Sequence, residues 1–148
     1  MNASSLRARR QVTRTPRTPL LTTDCVVVNP DRRVLLVERA QSPFKGQLAL
    51  PGGFVDLDET VEEACRREVM EETGVRVAKL RLVGVFSTPG RDPRGATCTI
   101  AFLARVGRVK VRGGDDAAAA YWTVDWQRRD LAFDHTAIVR MAYKLLRP

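Results

Sequence analysis

The sequence has few of the residues that build zinc sites and disulfide-stabilised folds. Its 148 residues include one histidine, His135, and three cysteines, Cys25, Cys65 and Cys98. Their spacing matches no zinc-ligand pattern, and each cysteine sits in an apolar segment. We therefore expect reduced, packed thiols in a cytoplasmic protein. We expect the histidine to start a helix or lie at an interface rather than act in catalysis.

Long hydrophobic runs are also missing. No apolar stretch approaches the roughly 20 residues that cross a bilayer, and no apolar segment of a secretion signal follows the N-terminal arginines. With 44% hydrophobic residues, the chain is large enough to bury a core of its own. These features predict one globular domain with no membrane partner.

Acidic residues are absent from residues 1–20, which contain five arginines in a chain of formal net charge +8. This segment lacks hydrophobic periodicity, so we predict a disordered basic tail there and a single domain over residues 21–148. Basic arms can bind nucleic acid. This one has no interleaved aromatic residues, and no nucleic-acid-binding motif follows it, so a solvated tail is the favoured interpretation.

The glutamates, in contrast, are concentrated. Six of the seven lie within residues 53–75. A Pro-Gly-Gly triplet next to this stretch predicts a loop. A capping-box pattern of Thr60 and Glu63, and a helix stop at Gly74, predict a helix over residues 61–73.

Three glutamates of this helix point the same way as its apolar residues. At about 100° per residue, Glu71 and Glu72 fall within about 60° of Glu68. Carboxylates gathered on an inward face repel one another, and burial penalises each charge, so they require a cation. Without histidine or cysteine ligands they suit a hard ion, Mg²⁺ or Mn²⁺. The opposite, solvated face is predicted to carry Glu62, Glu63, Arg66 and Arg67.

The stretch resembles, position for position, the signature of the Nudix hydrolases: Gly, five residues, Glu, seven residues, then Arg-Glu-hydrophobic-any-Glu-Glu-any-Gly-hydrophobic. The resemblance extends from about Thr22 to the C-terminus. It implies hydrolysis of a nucleoside diphosphate linked to another group, with Mg²⁺ as cofactor and Mn²⁺ as its substitute. The nine specified positions, a highly specific set, are Gly53, Glu59, Arg67, Glu68, Val69, Glu71, Glu72, Gly74 and Val75.

The resemblance also implies roles for individual residues. The three inward glutamates are expected to hold the metal, with Gly53 letting the backbone turn tightly at the cation. Arg67 is expected to orient the glutamates through a salt bridge, although an ordinary surface pair with Glu71 is physically similar. Glu59 is expected to support the metal site.

The general base is left open between two assignments. In some ADP-ribose pyrophosphatases of this family, a carboxylate on a distant loop activates the water. Asp115 or Asp116 has a comparable place here, and we assign Asp116. Glutamate is commoner on that loop, so an aspartate there departs from the family pattern. A glutamate of the helix is the alternative base.

The predicted substrate contacts lie outside the helix. Pro89 stands fifteen positions beyond Gly74, in a pattern that resembles the ADP-ribose pyrophosphatase subgroup. Arg91 and Arg94 follow, and they either neutralise phosphates or merely occupy a turn. Arg39, at a strand end that faces the glycine-rich turn, is the better phosphate candidate. Three phenylalanines either stack on adenine or pack in the core, and Phe54 is assigned to the substrate: Phe44, Phe54 and Phe86.

The remaining segments predict an α/β fold. Residues 22–28 and 33–39 are expected to form a hairpin. The order of elements and the resemblance together predict a Nudix-type α/β/α sandwich with a mixed sheet and a catalytic loop and helix. Further strands are expected at 54–56, 80–87, 97–106, 109–112 and 119–124, and a second helix over 134–146 with Asp134 as its N-cap.

The leading hypothesis is Mg²⁺-dependent hydrolysis of ADP-ribose to AMP and ribose 5-phosphate. The alternative within the family is a housekeeping hydrolase of oxidised nucleoside triphosphates or dinucleotides. The alternative of another class is a non-catalytic ADP-ribose sensor. Catalysis is favoured because every glutamate of the signature is present and because residues after 126 leave no room for a DNA-binding module. The expected partner is a small nucleotide, and the resemblance alone suggests a homodimer.

Overall fold

A mixed sheet lies between two helices, as the predicted α/β/α sandwich requires. The computed structural model describes residues 14–112 and 117–147. Its sheet has seven strands, with one helix packed on each face. No helix in these two ranges is long and apolar enough to cross a bilayer. The elements are β1 (Leu20–Val28), β2 (Val34–Arg39), β3 (Leu48–Ala49), β4 (Gly52–Phe54), α1 (Val61–Thr73), β5 (Arg81–Phe86), β6 (Thr97–Arg105), β7 (Ala117–Thr123), a 3₁₀ turn (Trp126–Arg128) and α2 (His135–Lys144).

The central strand β1 has an apolar sequence because both of its faces are covered. It runs parallel to β6 along its whole length and antiparallel to β4 at its first half. Val26 and Val28 pack in the core that includes α2, while Cys25 and Val27 pack in the core that includes α1. A strand that is covered on both faces has a nearly continuous hydrophobic sequence, without the alternation of apolar and polar residues that a half-exposed strand shows.

Helix α1 begins and ends as its sequence predicts. The Thr60 Oγ1 accepts a hydrogen bond from the Glu63 N–H at 3.1 Å, and the Glu63 carboxylate accepts one from the Thr60 N–H at 2.8 Å. Gly74 follows the helix with φ of 72°, and its N–H donates to Met70. These caps satisfy backbone groups that the helix ends would leave unpaired, and they confirm the boundaries of the glutamate-rich helix.

The predicted hairpin of β1 and β2 is right only at its turn. The two strands pair through Val28 and Val34 and then separate. Beyond that point β4 pairs with β1, and β7 and β3 pair with β2. The hydrogen-bonding edges of the two strands are therefore filled by other strands.

Three other predictions also need correction. Gly52 and Gly53 belong to β4, so this strand lies two residues before the predicted 54–56 and replaces the predicted loop. Residues 109–112 form no strand. β1 begins at Leu20, one residue inside the predicted tail.

Helix α2 starts at His135 and packs against the sheet through Ile138 and Val139. Asp134 occupies the N-cap position, but its side chain makes no capping hydrogen bond. The carboxylate instead binds Arg91. The prediction was thus right about the position of Asp134 and wrong about its contact.

Candidate active site

A cleft of about 330 Å³ opens where β1, β2 and β4 approach α1, the loop before β6 and the start of α2. It is lined by Glu68 and Glu72 of the predicted metal-binding helix. Arg39 and Arg94, both predicted to bind phosphate, line the same space. The fold therefore brings together residues that are far apart along the chain.

Two glycines let the backbone of β4 approach the carboxylates. A Cβ atom on Gly53 would lie 2.5 Å from Oε1 of Glu68, and one on Gly52 would lie 2.1 Å from the Thr23 carbonyl oxygen. Neither position accepts a side chain unless a neighbour moves. The Gly52 N–H donates to Oε2 of Glu72 at 3.3 Å. Close approach to Glu68 thus accounts for Gly53, and close approach to the backbone of β1 accounts for Gly52.

Glu68 and Glu72 form an acidic cluster with Asp24, an aspartate in the middle of β1. Burial raises the pKa of Glu68, although Arg67 opposes this. Burial and the neighbouring charges of Glu68 and Asp24 raise the pKa of Glu72 to about 9, while the hydrogen bond from Gly52 opposes the change. Like charges held together away from water are unfavourable until a cation joins them.

The third glutamate of the predicted metal site, Glu71, lies outside this cluster. Its side chain is 57% exposed, and Oε2 accepts a hydrogen bond from Nη1 of Arg67 at 3.3 Å. The helical wheel placed Glu71 on the inward face, at the edge of the arc. In the structure that edge is open to solvent.

The helical wheel placed Arg67 on the solvated face, but in the structure its side chain connects the parts of the Nudix-like stretch. Its Nη2 donates to Oε1 of Glu59 at 2.6 Å and its Nε to Oε2 at 3.0 Å. Its Nη1 donates to Oε1 of Glu68 at 3.0 Å, and Nη2 also reaches the Phe54 carbonyl. Hydrogen bonds from Arg67 and from the Asp56 backbone lower the pKa of Glu59 to about 2. The side chain is long enough to reach around the helix, which explains the error of the wheel.

The acidic cluster fits a hard divalent cation. Within the part of the chain that the structure describes, no three acidic, histidine or cysteine side chains converge into a complete metal site. Magnesium, however, keeps several waters and shares its ligands between carboxylates and substrate phosphates. Two neighbouring carboxylates whose pKa values are raised by burial suit such an ion better than they suit solvent.

Arg39 and Arg94 form an arginine pair around the ring of Phe133. The Cζ of Arg39 lies 4.9 Å, and that of Arg94 5.6 Å, from the centre of this ring. Nε of Arg39 donates to the Pro43 carbonyl at 2.6 Å. Burial and the nearby Arg94 lower the pKa of Arg39. Among the described residues, the terminal nitrogens of Arg39 have no hydrogen-bond acceptor, which leaves them available to an anion.

Arg94 is partly neutralised by Asp92. Its Nε and Nη2 donate to the two carboxylate oxygens at 3.1 and 2.9 Å. Asp92 is buried, and hydrogen bonds from Arg94 lower its pKa although burial opposes this. Arg94 also lies 5.5 Å from the ring of Phe54, which is 42% exposed at the cleft. Phe44 and Phe86, the other two candidates for adenine stacking, pack against the hydrophobic core.

Arg91, which was assigned to the substrate, also lines the cleft, but its guanidinium is bound by protein groups in the structure. Its Nε and Nη2 donate to Asp134 at 2.9 and 2.6 Å, and Nη1 donates to Thr97 and Thr99. The side chain is 5% exposed. A guanidinium whose three nitrogens are all engaged joins the loop to α2 and β6, and its contact with a phosphate stays a prediction.

Three residues that line the cleft were given no role at the site from the sequence. Asp24 interrupts an apolar strand, and this interruption is a signal that could have identified it. His135 is buried, and its Nδ1 accepts a hydrogen bond from the Leu50 N–H at 2.9 Å. Its Nε2 lies 3.5 Å from Asp24. Phe133 gave no signal, because its contacts come from distant segments. The predicted base, Asp115 or Asp116, lies outside the described residues.

Comparisons with known proteins identify the family of the chain. The model of the NUDIX domain matches residues 18–141. An ADP-ribose pyrophosphatase from Methanocaldococcus jannaschii is 45% identical over 114 residues, which are 77% of this chain and 68% of that protein. An ADPR responsive transcriptional repressor, NtrR, from Acinetobacter baylyi is 32% identical over 136 residues, or 86% of this chain and 54% of that protein.

A solved structure gives the same result for the fold. The NUDIX domain of Shewanella oneidensis NrtR, in complex with ADP ribose, superposes with a TM-score of 0.83 at 29% identity. This match covers 91% of this chain and 95% of that one. The chain spans about half the length of the Acinetobacter repressor, so it corresponds to one part of that protein. The domain match, the glutamate-rich helix and the cleft around it lead to one conclusion: the chain belongs to the Nudix family.

Proposed function

We propose that the protein hydrolyses ADP-ribose to AMP and ribose 5-phosphate in the presence of Mg²⁺. The observation that carries this proposal is the presence of the acidic cluster and the arginine pair in a single cleft. A diphosphate is polyanionic, so it needs both a cation beside the carboxylates and cationic side chains around it. The relatives named for ADP-ribose supply the choice of substrate.

Different residues of the cleft would bind the cation, position its ligands and bind the phosphates. Glu68 and Glu72 would hold the cation, with Glu71 and the backbone at Gly53 as further predicted contacts. When bound, Mg²⁺ would neutralise phosphate charge and lower the pKa of a bound water, and Mn²⁺ would substitute for it. Arg67 and Glu59 hold the carboxylate of Glu68 in place, and Arg39 offers its free donors to a phosphate.

In the reaction, a water oxygen forms a bond to one phosphorus of the substrate while the bridging P–O bond breaks. The water's proton must be accepted by a base, and the departing phosphate carries away the bond's electron pair. Asp116 and the cleft glutamates are our candidates for this base. If Asp116 is the base, Asp116→Asn should lower kcat by roughly 100-fold or more while Asp115→Asn stays active. Wild-type kcat in both variants would leave the glutamates as the candidates.

A substrate panel tests the proposed function. The purified protein is incubated with Mg²⁺ or Mn²⁺ and with ADP-ribose, NADH, diadenosine polyphosphates, and normal and oxidised dNTPs, and the products are separated by chromatography. We expect AMP and ribose 5-phosphate from ADP-ribose at the highest kcat/KM. Preference for a triphosphate would keep a Nudix hydrolase but reject ADP-ribose as its substrate.

A second candidate is an ADP-ribose sensor without turnover. It is favoured by the match to the repressor from Acinetobacter baylyi. Calorimetric binding of ADP-ribose without product formation, in the same panel, would select this function over hydrolysis.

We further infer a cytoplasmic location and a homodimer. Cys25, Cys65 and Cys98 are free thiols in the structure, which suits a reducing compartment. The homodimer derives from resemblance alone, and light scattering coupled to size-exclusion chromatography tests it.

A further inference from the structure

Three consecutive residues before and at the start of α2 contact three different parts of the cleft. The Phe133 ring lies beside Arg39 and Arg94. The Asp134 carboxylate binds Arg91, and the His135 ring lies between the Leu50 N–H and Asp24. We call this segment the FDH segment.

The backbone of this segment is shaped for these contacts rather than for the helix that follows. Phe133 has φ of 54°, in the left-handed region that a bulky side chain rarely adopts. Asp134 occupies the N-cap position but makes no capping hydrogen bond with its side chain. Strain and a forgone cap persist where the surrounding structure holds them, and they cluster at functional sites.

The FDH segment is also anchored on both sides. Before it, the buried Ala132 donates its N–H to the Leu48 carbonyl at 2.9 Å. After it, Ile138 and Val139 are fully buried beneath the sheet. The three side chains therefore extend from a rigid support, as a positioning element requires.

The contacts of the segment divide between the two charged parts of the cleft. The π-face of an aromatic ring attracts cations, so Phe133 can hold two guanidinium groups that would otherwise repel each other. Since Nδ1 of His135 accepts from Leu50, its ring proton is on Nε2, which faces Asp24. His135 thus links the acidic cluster to the backbone that leads into β4.

We propose that Phe133 and His135 are positioning residues, Phe133 for the arginine pair that binds the nucleotide phosphates and His135 for the acidic cluster that binds the cation. Asp134 secures the segment by its pair with Arg91. This inference rests on the proposed function, because it assigns a nucleotide to the arginine pair and a metal to the acidic cluster.

The test uses two binding measurements on the full chain. Calorimetry measures Mn²⁺ alone, and then ADP at saturating Mn²⁺, for wild type, Phe133→Leu and His135→Asn. Phe133→Leu keeps an apolar side chain but removes the π-face, so the Kd for ADP should rise roughly threefold to tenfold while the Kd for Mn²⁺ stays unchanged. His135→Asn should raise the Kd for Mn²⁺ by roughly tenfold, as loss of a residue that supports metal ligands does.

Two control variants exclude a general loosening of α2. Phe133→Tyr keeps the ring and should bind ADP like wild type. Arg140→Ala, on the exposed side of the same helix, should bind both ligands like wild type. Thermal unfolding is recorded for every variant. If His135→Asn does not fold, His135→Gln replaces it in the Mn²⁺ titration.

Each outcome is informative. The proposal is wrong if Phe133→Leu binds ADP as tightly as wild type, or if the His135 variant binds Mn²⁺ as tightly as wild type. It is also wrong if both variants weaken both ligands to the same degree. A wild-type protein that binds neither ligand also overturns it. If the wild type binds Mn²⁺ and ADP but does not hydrolyse ADP-ribose, the proposed function fails, while the pattern among the variants still decides this inference.

Discussion

Arg67 binds Glu59 through two nitrogens of its guanidinium group, Nη2 to Oε1 at 2.6 Å and Nε to Oε2 at 3.0 Å. The remaining nitrogen reaches Glu68 in the cleft. The loop before α1 and the carboxylate that faces Gly53 are thus connected through one side chain. Such forked binding requires the planar, five-donor group of arginine, which lysine lacks.

We therefore expect Arg67→Lys to lower kcat by roughly 10- to 100-fold, because the Glu68 carboxylate loses its fixed position. Steady-state kinetics at saturating Mg²⁺, with a melting curve, measures this. Arg66→Lys is the matched control, since Arg66 binds only the Ala78 carbonyl among the described residues and lies outside the cleft. Equal activity of the two variants would contradict a positioning role for Arg67.

Gly53→Ala should inactivate the protein. The added methyl would lie 2.5 Å from Oε1 of Glu68, so the carboxylate must move. A displacement of about 1 Å at a reacting group costs on the order of 100-fold in rate. Gly107→Ala is the control, because a Cβ there meets no atom within 4 Å. If the alanine at position 53 retained wild-type kcat, the close approach would have no catalytic meaning.

Glu72→Gln should stabilise the metal-free protein, and increasingly so as pH rises. The pKa of Glu72 is raised from 4.5 to about 9, so between these values the folded chain retains a proton that the unfolded chain has lost. The free energy of unfolding therefore decreases as pH rises through this range, and glutamine removes that decrease. Melting in EDTA between about pH 5 and about pH 8 should show a Tm advantage of the variant that grows with pH. A constant difference would show that the buried charge is not the cause.

Arg91→Leu should destabilise the fold by about 3 kcal/mol, because it leaves Asp134 without its partner in a mostly buried pair. Arg129→Leu removes an exposed pair with Asp125 and should cost at most about 1 kcal/mol. Urea denaturation of both variants measures the difference. Similar midpoints would mean that the Arg91 pair contributes no more than a surface contact.

Local patterns were sufficient to predict the glutamate-rich helix. Its cap, its stop and its spacing depend on residues within a few positions of one another, and the capping box of Thr60 and Glu63 forms as expected. The position of Arg67 was not predictable from a wheel, since a wheel describes the Cβ direction and not the reach of a long side chain.

Contacts between distant segments could not be predicted from one sequence. Arg91 binds Asp134, 43 residues away, and nothing in the loop distinguishes this guanidinium from one that binds a phosphate. Phe133 and Asp24 are likewise brought to the cleft by the sheet and by α2. The cleft residues that come from distant segments were therefore harder to predict than the helix.

The most direct measurement is Mg²⁺-dependent release of AMP from ADP-ribose by the wild type, by Glu72→Gln and by Glu62→Gln, whose parent residue is exposed on the same helix. We predict AMP from wild type and from Glu62→Gln, and a loss of at least about 100-fold in kcat for Glu72→Gln. Wild-type turnover by Glu72→Gln would contradict the assignment of the acidic cluster as the cation site.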